Sequence, residues 1–345
     1  MPTNIARDTD GSRTTPPRFH QRRQLLRFAA GVPLLGLTEP PEPDAQLQAR
    51  VAIDAHTAIG ESPVWDERRH RLLWIDQATG SIFEARSRGW RGWYQTRRWE
   101  LQRPIAALIL RRSGGFLVVA ADELLSFDEN SGETQPWGDL KVAPGTRLNE
   151  AKCDPQGRLW ATTLAEDFSA ATGVILRIDP SGYALPVYHG VRVGNGMDWS
   201  RDGNTFFFID SLAQTVSAFD FDAGSGDISN RRDVVSFEQC APDGMTVDSE
   251  GCLWVAAAAA GEVRRYTRIG QLITRVKIGT PGVTNCTFGG RDLRSLLITS
   301  LNVRMPEIPE LGIPSSQLEN SGPEAGAVFV CQPGVTGIAT RRFAG

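Results

Sequence analysis

The chain has 345 residues, of which 41% are hydrophobic and 22% charged, with a formal net charge of −3. That is room for one large domain or two ordinary ones, with the profile of a soluble globular protein. The charge balance does not suggest a nucleic-acid or anionic-membrane partner, and with Lys141, Lys152 and Lys277 as the only lysines, Schiff-base chemistry is a poor fit.

The first fifty residues differ from the rest. Six arginines stand against two aspartates between Met1 and Arg27, and the ten-residue apolar run "FAAGVPLLGL" follows from Phe28 to Leu37. A basic region, a short apolar region and a Pro-rich exit form the layout of a secretory signal. "RRQLLR" at Arg22–Arg27 resembles the twin-arginine variety. The apolar run is too short for a stable bilayer span. Against export stand the lack of a clear A-x-A cleavage site and Arg27 crowding the apolar run, so a disordered basic tail is the alternative. Residues 1–47 are set apart as this leader, and 48–345 as the folded domain. The expected location is periplasmic if the leader works, and cytoplasmic otherwise.

Past Val51 the chain shows short apolar or alternating runs and no sustained helical period, so an all-β domain is expected. One unit recurs: Asp, two residues, Gly, then a Leu-Trp-type apolar strand. It appears as "DERRHRLLWID", "RRSGGFLVVAA", "DPQGRLWATT", "SRDGNTFFFID", "DSEGCLWVAA" and "GGRDLRSLLITS". Their central residues, Trp74, Val118, Trp160, Phe207, Trp254 and Ile298, are 44, 42, 47, 47 and 44 residues apart. A constant spacing near 45 with several strands per unit predicts a six-bladed β-propeller. A two-sheet sandwich does not predict equal intervals.

A propeller gathers the starts of its innermost strands around one axis. Polar residues occupy that phase of the repeat: Glu61 in "IGESPVWD", Arg147, Asn149 and Glu150 in "TRLNEAKCD", Asn195 in "VGNGMDWS", and Asp243 in "APDGMTVD". "PDG" and "GNG" are also ordinary turn sequences in which Asp or Asn caps its own backbone, whereas Glu61 and Asn149 are not explained by turn chemistry. Two carboxylates with one or two amide oxygens form a hard-oxygen set that suits Ca²⁺, and also Mg²⁺ or Mn²⁺. So few protein oxygens leave positions open for water or substrate, as a catalytic metal requires.

The five cysteines at 153, 240, 252, 286 and 331 form no CxxC and read as small buried hydrophobes. His20, His56, His70 and His189 do not cluster with the polar set.

Five blocks, "GESPVWDERRHRLLWID", "RLNEAKCDPQGRLWATTLAED", "GNGMDWSRDGNTFFFIDS", "PDGMTVDSEGCLWVA" and "NCTFGGRDLRSLLITS", resemble in order and separation the regucalcin/gluconolactonase family, also called senescence-marker-protein-like. The likeness runs from about Ile59 to Ala344. It implies a six-bladed propeller with one divalent cation on the axis, Ca²⁺ first, with Zn²⁺, Mn²⁺ or Mg²⁺ also acceptable, and hydrolysis of a sugar lactone. The family's metal residues fall on Glu61, Asn195 and Asp243. Its substrate-contacting arginine and asparagine fall on Arg147 and Asn149, and an acidic pair falls on Glu166 and Asp167, with Asp167 chosen as the sugar-hydroxyl ligand. Three features depart from the pattern: Ser62 stands where glycine is frequent, Glu150-Ala151 replaces a more usual Asp-Gly, and "WVAAAAAGEV" lacks bulkier residues.

The chemistry implied is a cation polarising the lactone carbonyl while Asp243 acts as general base on a water. Arg147 offers a planar fork of donors. No G-x-S-x-G is present. Two rivals remain: a non-enzymatic calcium-binding propeller, and a hydrolase of another ester or lactone. Ring size, stereochemistry and oligomeric state leave no trace in the sequence.

Overall fold

Each Asp-turn unit folds as expected, and two of them show why the motif has its composition. In the computed structural model, which describes residues 46–89, 92–320 and 322–345, Asp154 Oδ1 accepts the backbone N–H groups of Gln156, Gly157 and Arg158 at 2.9–3.0 Å. Its Oδ2 accepts Trp160 Nε1 at 3.1 Å and Arg158 Nε at 2.5 Å. Asp248 repeats the arrangement on Glu250, Cys252, Trp254 Nε1 and Arg265 Nε. One carboxylate thus caps the turn and anchors the indole of the following strand. Gly157 and Gly251 lie at φ 90° and 81°, where a side chain would be strained.

These hairpins stack into six antiparallel sheets, one per repeat, so the protein is an all-β six-bladed propeller. The repeat residues Trp74, Val118, Trp160, Phe207, Trp254 and Ile298 all lie in the second strand of their blades. The innermost strands are Gly60–Asp66, Ile105–Leu110, Thr146–Cys153, Gly194–Trp199, Ala241–Val247 and Val283–Gly289. Between neighbouring blades sit the apolar layers. Blades three and four share Trp160, Trp199, Phe206 and Phe219, all essentially solvent-free. An aromatic layer of this kind is worth several kcal/mol in buried area alone.

Both chain ends close the ring. Arg50–Ile53 pairs antiparallel with Val328–Cys331 as the outer strand of blade six. Gln46–Gln48 adds in parallel to Leu272–Lys277 on blade five, so strand pairing begins within the last two residues assigned to the leader. The rest of that leader lies outside the described residues. At the other end, Thr336–Gly345 runs across the base of the propeller. It bonds to Ser249, Leu293, Trp65, Leu110 and Gly157 in succession, and Arg341 reaches Asp198 and Trp199. Each of the six blades is thereby tied to this segment, which holds them together at the base.

All five cysteines are free, and burial pushes the Cys286 and Cys331 thiols up to about 12. Among the described residues, no helix is long and apolar enough to cross a membrane.

Candidate active site

All six innermost strands break register at the same point. The slips fall at Glu61/Val64, Ile105/Ala107, Leu148/Glu150, Gly194/Met197, Pro242/Met245 and Val283/Asn285. A bulge of this kind turns side chains out of the pleat. The polar residues picked out by their phase, Glu61, Asn149, Asn195 and Asp243, stand at or next to these bulges. Blade two has Ala106 in the corresponding place and offers no donor atom. Ser62, where glycine was the more frequent residue, adopts φ 47°. The position demands the left-handed conformation that glycine takes without cost.

The glycines around Asn195 have a packing reason. A Cβ on Gly196 would lie 2.6 Å from the Asp243 carbonyl oxygen, and one on Gly194 would lie 2.5 Å from Thr162 Cβ. The inner strand of blade four is pressed here against blades three and five, and only hydrogen fits. Gly244 is under the same constraint, because a Cβ would lie 2.0 Å from the Asn285 amide carbon.

Two hydrogen-bond groups result. In the first, Arg147 Nη1 donates to Asn149 Oδ1 at 3.1 Å, and Asn149 Nδ2 donates to Asn195 Oδ1 at 3.1 Å and to Gly194 O at 3.0 Å. Asn195 Nδ2 donates to Ser211 Oγ at 2.9 Å, and Ser211 gives its own proton to Pro242 O at 2.6 Å. Ser211 can therefore only accept from Asn195, which fixes the amide and leaves Asn195 Oδ1 as a presented oxygen. In the second group, Asn285 Nδ2 donates to Glu61 Oε2 and to Glu150 Oε2, each at 2.9 Å. Its carbonyl is taken by the Cys286 N–H at 2.8 Å.

Electrostatics define the site further. Burial, then the charge of Glu150, pushes Glu61 up to about 8. Burial, then the charges of Glu61 and Glu150, holds Asp243 well above the usual carboxylate range. Glu150 is raised by burial as well, against the pull of the Ala151 N–H, Lys152 and Asn285. Lys152 does not neutralise the trio, since Nζ is engaged by Asp198 Oδ2 at 2.8 Å and Met245 O at 3.0 Å. Burial alone would raise Asp198, but Lys152 and Arg341 outweigh it and lower its pKa. Three mutually repelling carboxylates without a cationic partner of their own form a site that a divalent cation would relieve.

The donor set fits such an ion. Glu61, Asp243 and the Asn195 amide oxygen are hard ligands with two negative charges between them. Among the described residues, no three Asp, Glu, His or Cys side chains are grouped to hold an ion without help. A mixed carboxylate–amide set is what the bulges present.

Of the expected substrate contacts, Arg147 and Asn149 lie in the hydrogen-bonded line that ends on Asn195. Asp167 is placed differently. Its Oδ1 accepts the Ser169 N–H at 3.0 Å and the Ser169 hydroxyl at 2.7 Å, inside an exposed turn. The acid that acts on Arg147 is its neighbour: burial lowers the Arg147 pKa, and the charge of Glu166 opposes that shift. Two participants were not assigned a role from the sequence. Glu150 was visible in the matched phase; Asn285 sits one place beyond the phase in blade six, and only strand register reveals it. His56 is exposed, in the connection after Ile53, with Nε2 3.2 Å from Asp54 Oδ1.

A six-bladed propeller whose innermost strands bring the acids Glu61, Glu150 and Asp243 together defines the class. Within that class, the chain belongs to the SMP-30/Gluconolactonase/LRE-like family, whose pattern it matches over residues 59–302. It is 34% identical to regucalcin from Homo sapiens over 313 residues, 87% of this chain and all of that one. Its fold is similar to that of a luciferin-regenerating enzyme (TM-score 0.73, 25% identity, 86% of this chain and 99% of that one). It is also similar to a structure described as a calcium-binding protein, regucalcin, from Agrobacterium tumefaciens (TM-score 0.75, 22% identity, 87% and 98%).

Proposed function

We propose that the protein is a divalent-metal-dependent hydrolase that opens a sugar lactone. The observation that carries this reading is the hydrogen-bonded line Arg147–Asn149–Asn195, which ends beside the mutually repelling acids Glu61 and Asp243. A cation held by Glu61, Asn195 and Asp243, Ca²⁺ first, would supply a Lewis acid for the lactone carbonyl.

This chain's own residues do the rest. Arg147, half-buried, directs its remaining guanidinium N–H groups to oxygens of the substrate. Asn149 is held from both sides and presents a fixed amide. Asp243, once ionised, takes a proton from the attacking water as the new C–O bond forms. The ring oxygen leaves with a proton and the product is the open hydroxy acid. Glu166, whose charge acts on Arg147, is the candidate for binding a ring hydroxyl, while the Asp167 carboxylate is taken by Ser169.

A panel of sugar lactones, simple lactones and aryl esters, each with Ca²⁺, Mn²⁺, Mg²⁺, Zn²⁺ or chelator, tests the reading. Lactone turnover abolished by chelator is expected, with Asn195→Ala and Asp243→Ala each losing on the order of 100-fold in kcat. Unchanged turnover in either variant would overturn the mechanism. Calcium binding without turnover of any member of the panel would instead favour a non-enzymatic binding propeller.

A further inference from the structure

The family match ends at residue 302, and there the chain leaves blade six on a long excursion before returning as Val328–Cys331. The excursion crosses to blades three, four and five. Leu311 packs with Leu164, Val193 and Leu212, and Phe168, Ala241, Ile308 and Ile313 join the same cluster. Met305 and Leu318 pack with Ala258, Ala259 and Leu301.

These contacts fall on the immediate neighbours of the site residues. Leu164 pairs with Arg147 across the blade-three sheet. Val193 precedes Asn195 by two residues, Leu212 follows Ser211, and Ala241 precedes Asp243 by two. The segment therefore stands as a wall over the blade three-to-five side of the mouth. It is a fixed wall. Asn320, 3% exposed, ties its base through Thr280 Oγ1 at 3.2 Å, Val303 O at 3.2 Å and Leu318 O at 3.3 Å. Gln214 Nε2 holds Leu311 O at 3.4 Å. Pro306, Pro309 and Pro314 stiffen the span between.

Its two faces differ. Arg304 pairs with both Glu307 and Glu319 on the solvent side. The inner face is Ile308, Leu311 and Ile313, opposed by Phe168 and Leu212. Ala258 and Ala259 of blade five, in a stretch where bulkier residues were expected, leave space for Met305 and Leu318 to settle.

We propose that the 303–320 strap is the specificity-determining wall of the site, and that the lactone it selects carries an apolar substituent on the ring carbon facing blades three and four. This rests on the lactonase reading and narrows its substrate class. A wall without hydrogen-bond donors strands any hydroxyl pressed against it, while each methylene buried there gains about fourfold in binding. The polar contacts, Arg147 and Asn149, lie nearer the channel on the inner strand of blade three.

The test is kcat/KM for γ-butyrolactone and its γ-alkyl derivatives of increasing chain length, beside glucono-1,5-lactone, all with saturating Ca²⁺. For the wild type, kcat/KM is expected to rise about two- to fourfold per methylene over the first few carbons, carried by KM. The half-exposed Ile308→Ser and Phe168→Ser should each flatten that rise, and Ile308→Leu should restore it. A rise that is absent in the wild type, or untouched by both serine variants, overturns the proposal. Turnover of glucono-1,5-lactone with a flat alkyl series sinks the strap alone. Failure to open any lactone sinks the lactonase reading, and the strap proposal with it.

Discussion

The crowded acids Glu61, Glu150 and Asp243 make a quantitative prediction about the metal-free protein. Glu61 has a folded-state pKa of about 8 against an ordinary 4.5. A raised carboxylate pKa means that the folded state keeps a proton the unfolded chain has released. Stability must then fall as pH rises through that window. From about pH 5.5 to about pH 8, one such group removes about 3 kcal/mol. Glu150 and Asp243 are displaced in the same direction and add to the loss. Glu150→Gln removes the charge that raises both others, while its amide oxygen can still accept from Asn285. In chelator, urea unfolding followed by tryptophan fluorescence should show the wild type markedly weaker at about pH 8 than at about pH 5.5. The variant should match the wild type at the lower pH and exceed it at the higher. Saturating Ca²⁺ should return the wild type to full stability at the higher pH. A chelated wild type that is as stable at about pH 8 as at about pH 5.5 would refute the reasoning, as would a Glu150→Gln variant that is weaker there.

Other outcomes follow from the same structure. Arg71, 2% exposed, bonds to Asp66 at 3.1 Å, Glu84 at 2.7 Å and Glu129 at 2.6 Å. Arg71→Met removes the partner shared by three buried acids, leaving each with one arginine, Arg342, Arg86 or Arg69, and should cost about 3 kcal/mol in chemical unfolding. Phe343, fully buried with its ring edge-on to Trp137 at 5.0 Å, fastens the C-terminal segment under blades two and three. Phe343→Ala should cost about 3–5 kcal/mol by the same assay. At the mouth, Glu166→Gln should lower kcat/KM about tenfold or more through loss of the charge facing Arg147, whereas Asp167→Asn, whose carboxylate is spent on Ser169, should stay within about twofold; steady-state kinetics with Ca²⁺ separates the two.

The difference between Glu166 and Asp167 illustrates what sequence reading could not reach. Both are exposed acids in one loop, and which of them faces Arg147 depends on the Ser169 turn rather than on residue type. Asn285 was hidden for a related reason. Strand alternation assigns faces only while register holds, and a bulge shifts the assignment by one. Ser62 stood out as a departure, but its reason, a left-handed φ, is visible only in the backbone.

The sequence by itself determined the blade count and the phase of the site. Each blade must turn tightly and bury an apolar strand, so Asp, Gly and Trp recur at a fixed spacing that is written locally. Only the tertiary structure decided which acids crowd one another, that blade two contributes nothing at Ala106, and that an aperiodic segment beyond Asn302 walls the mouth. Those facts depend on distances between residues of different blades, and burial and Coulomb energy follow distance in space, which no local pattern encodes.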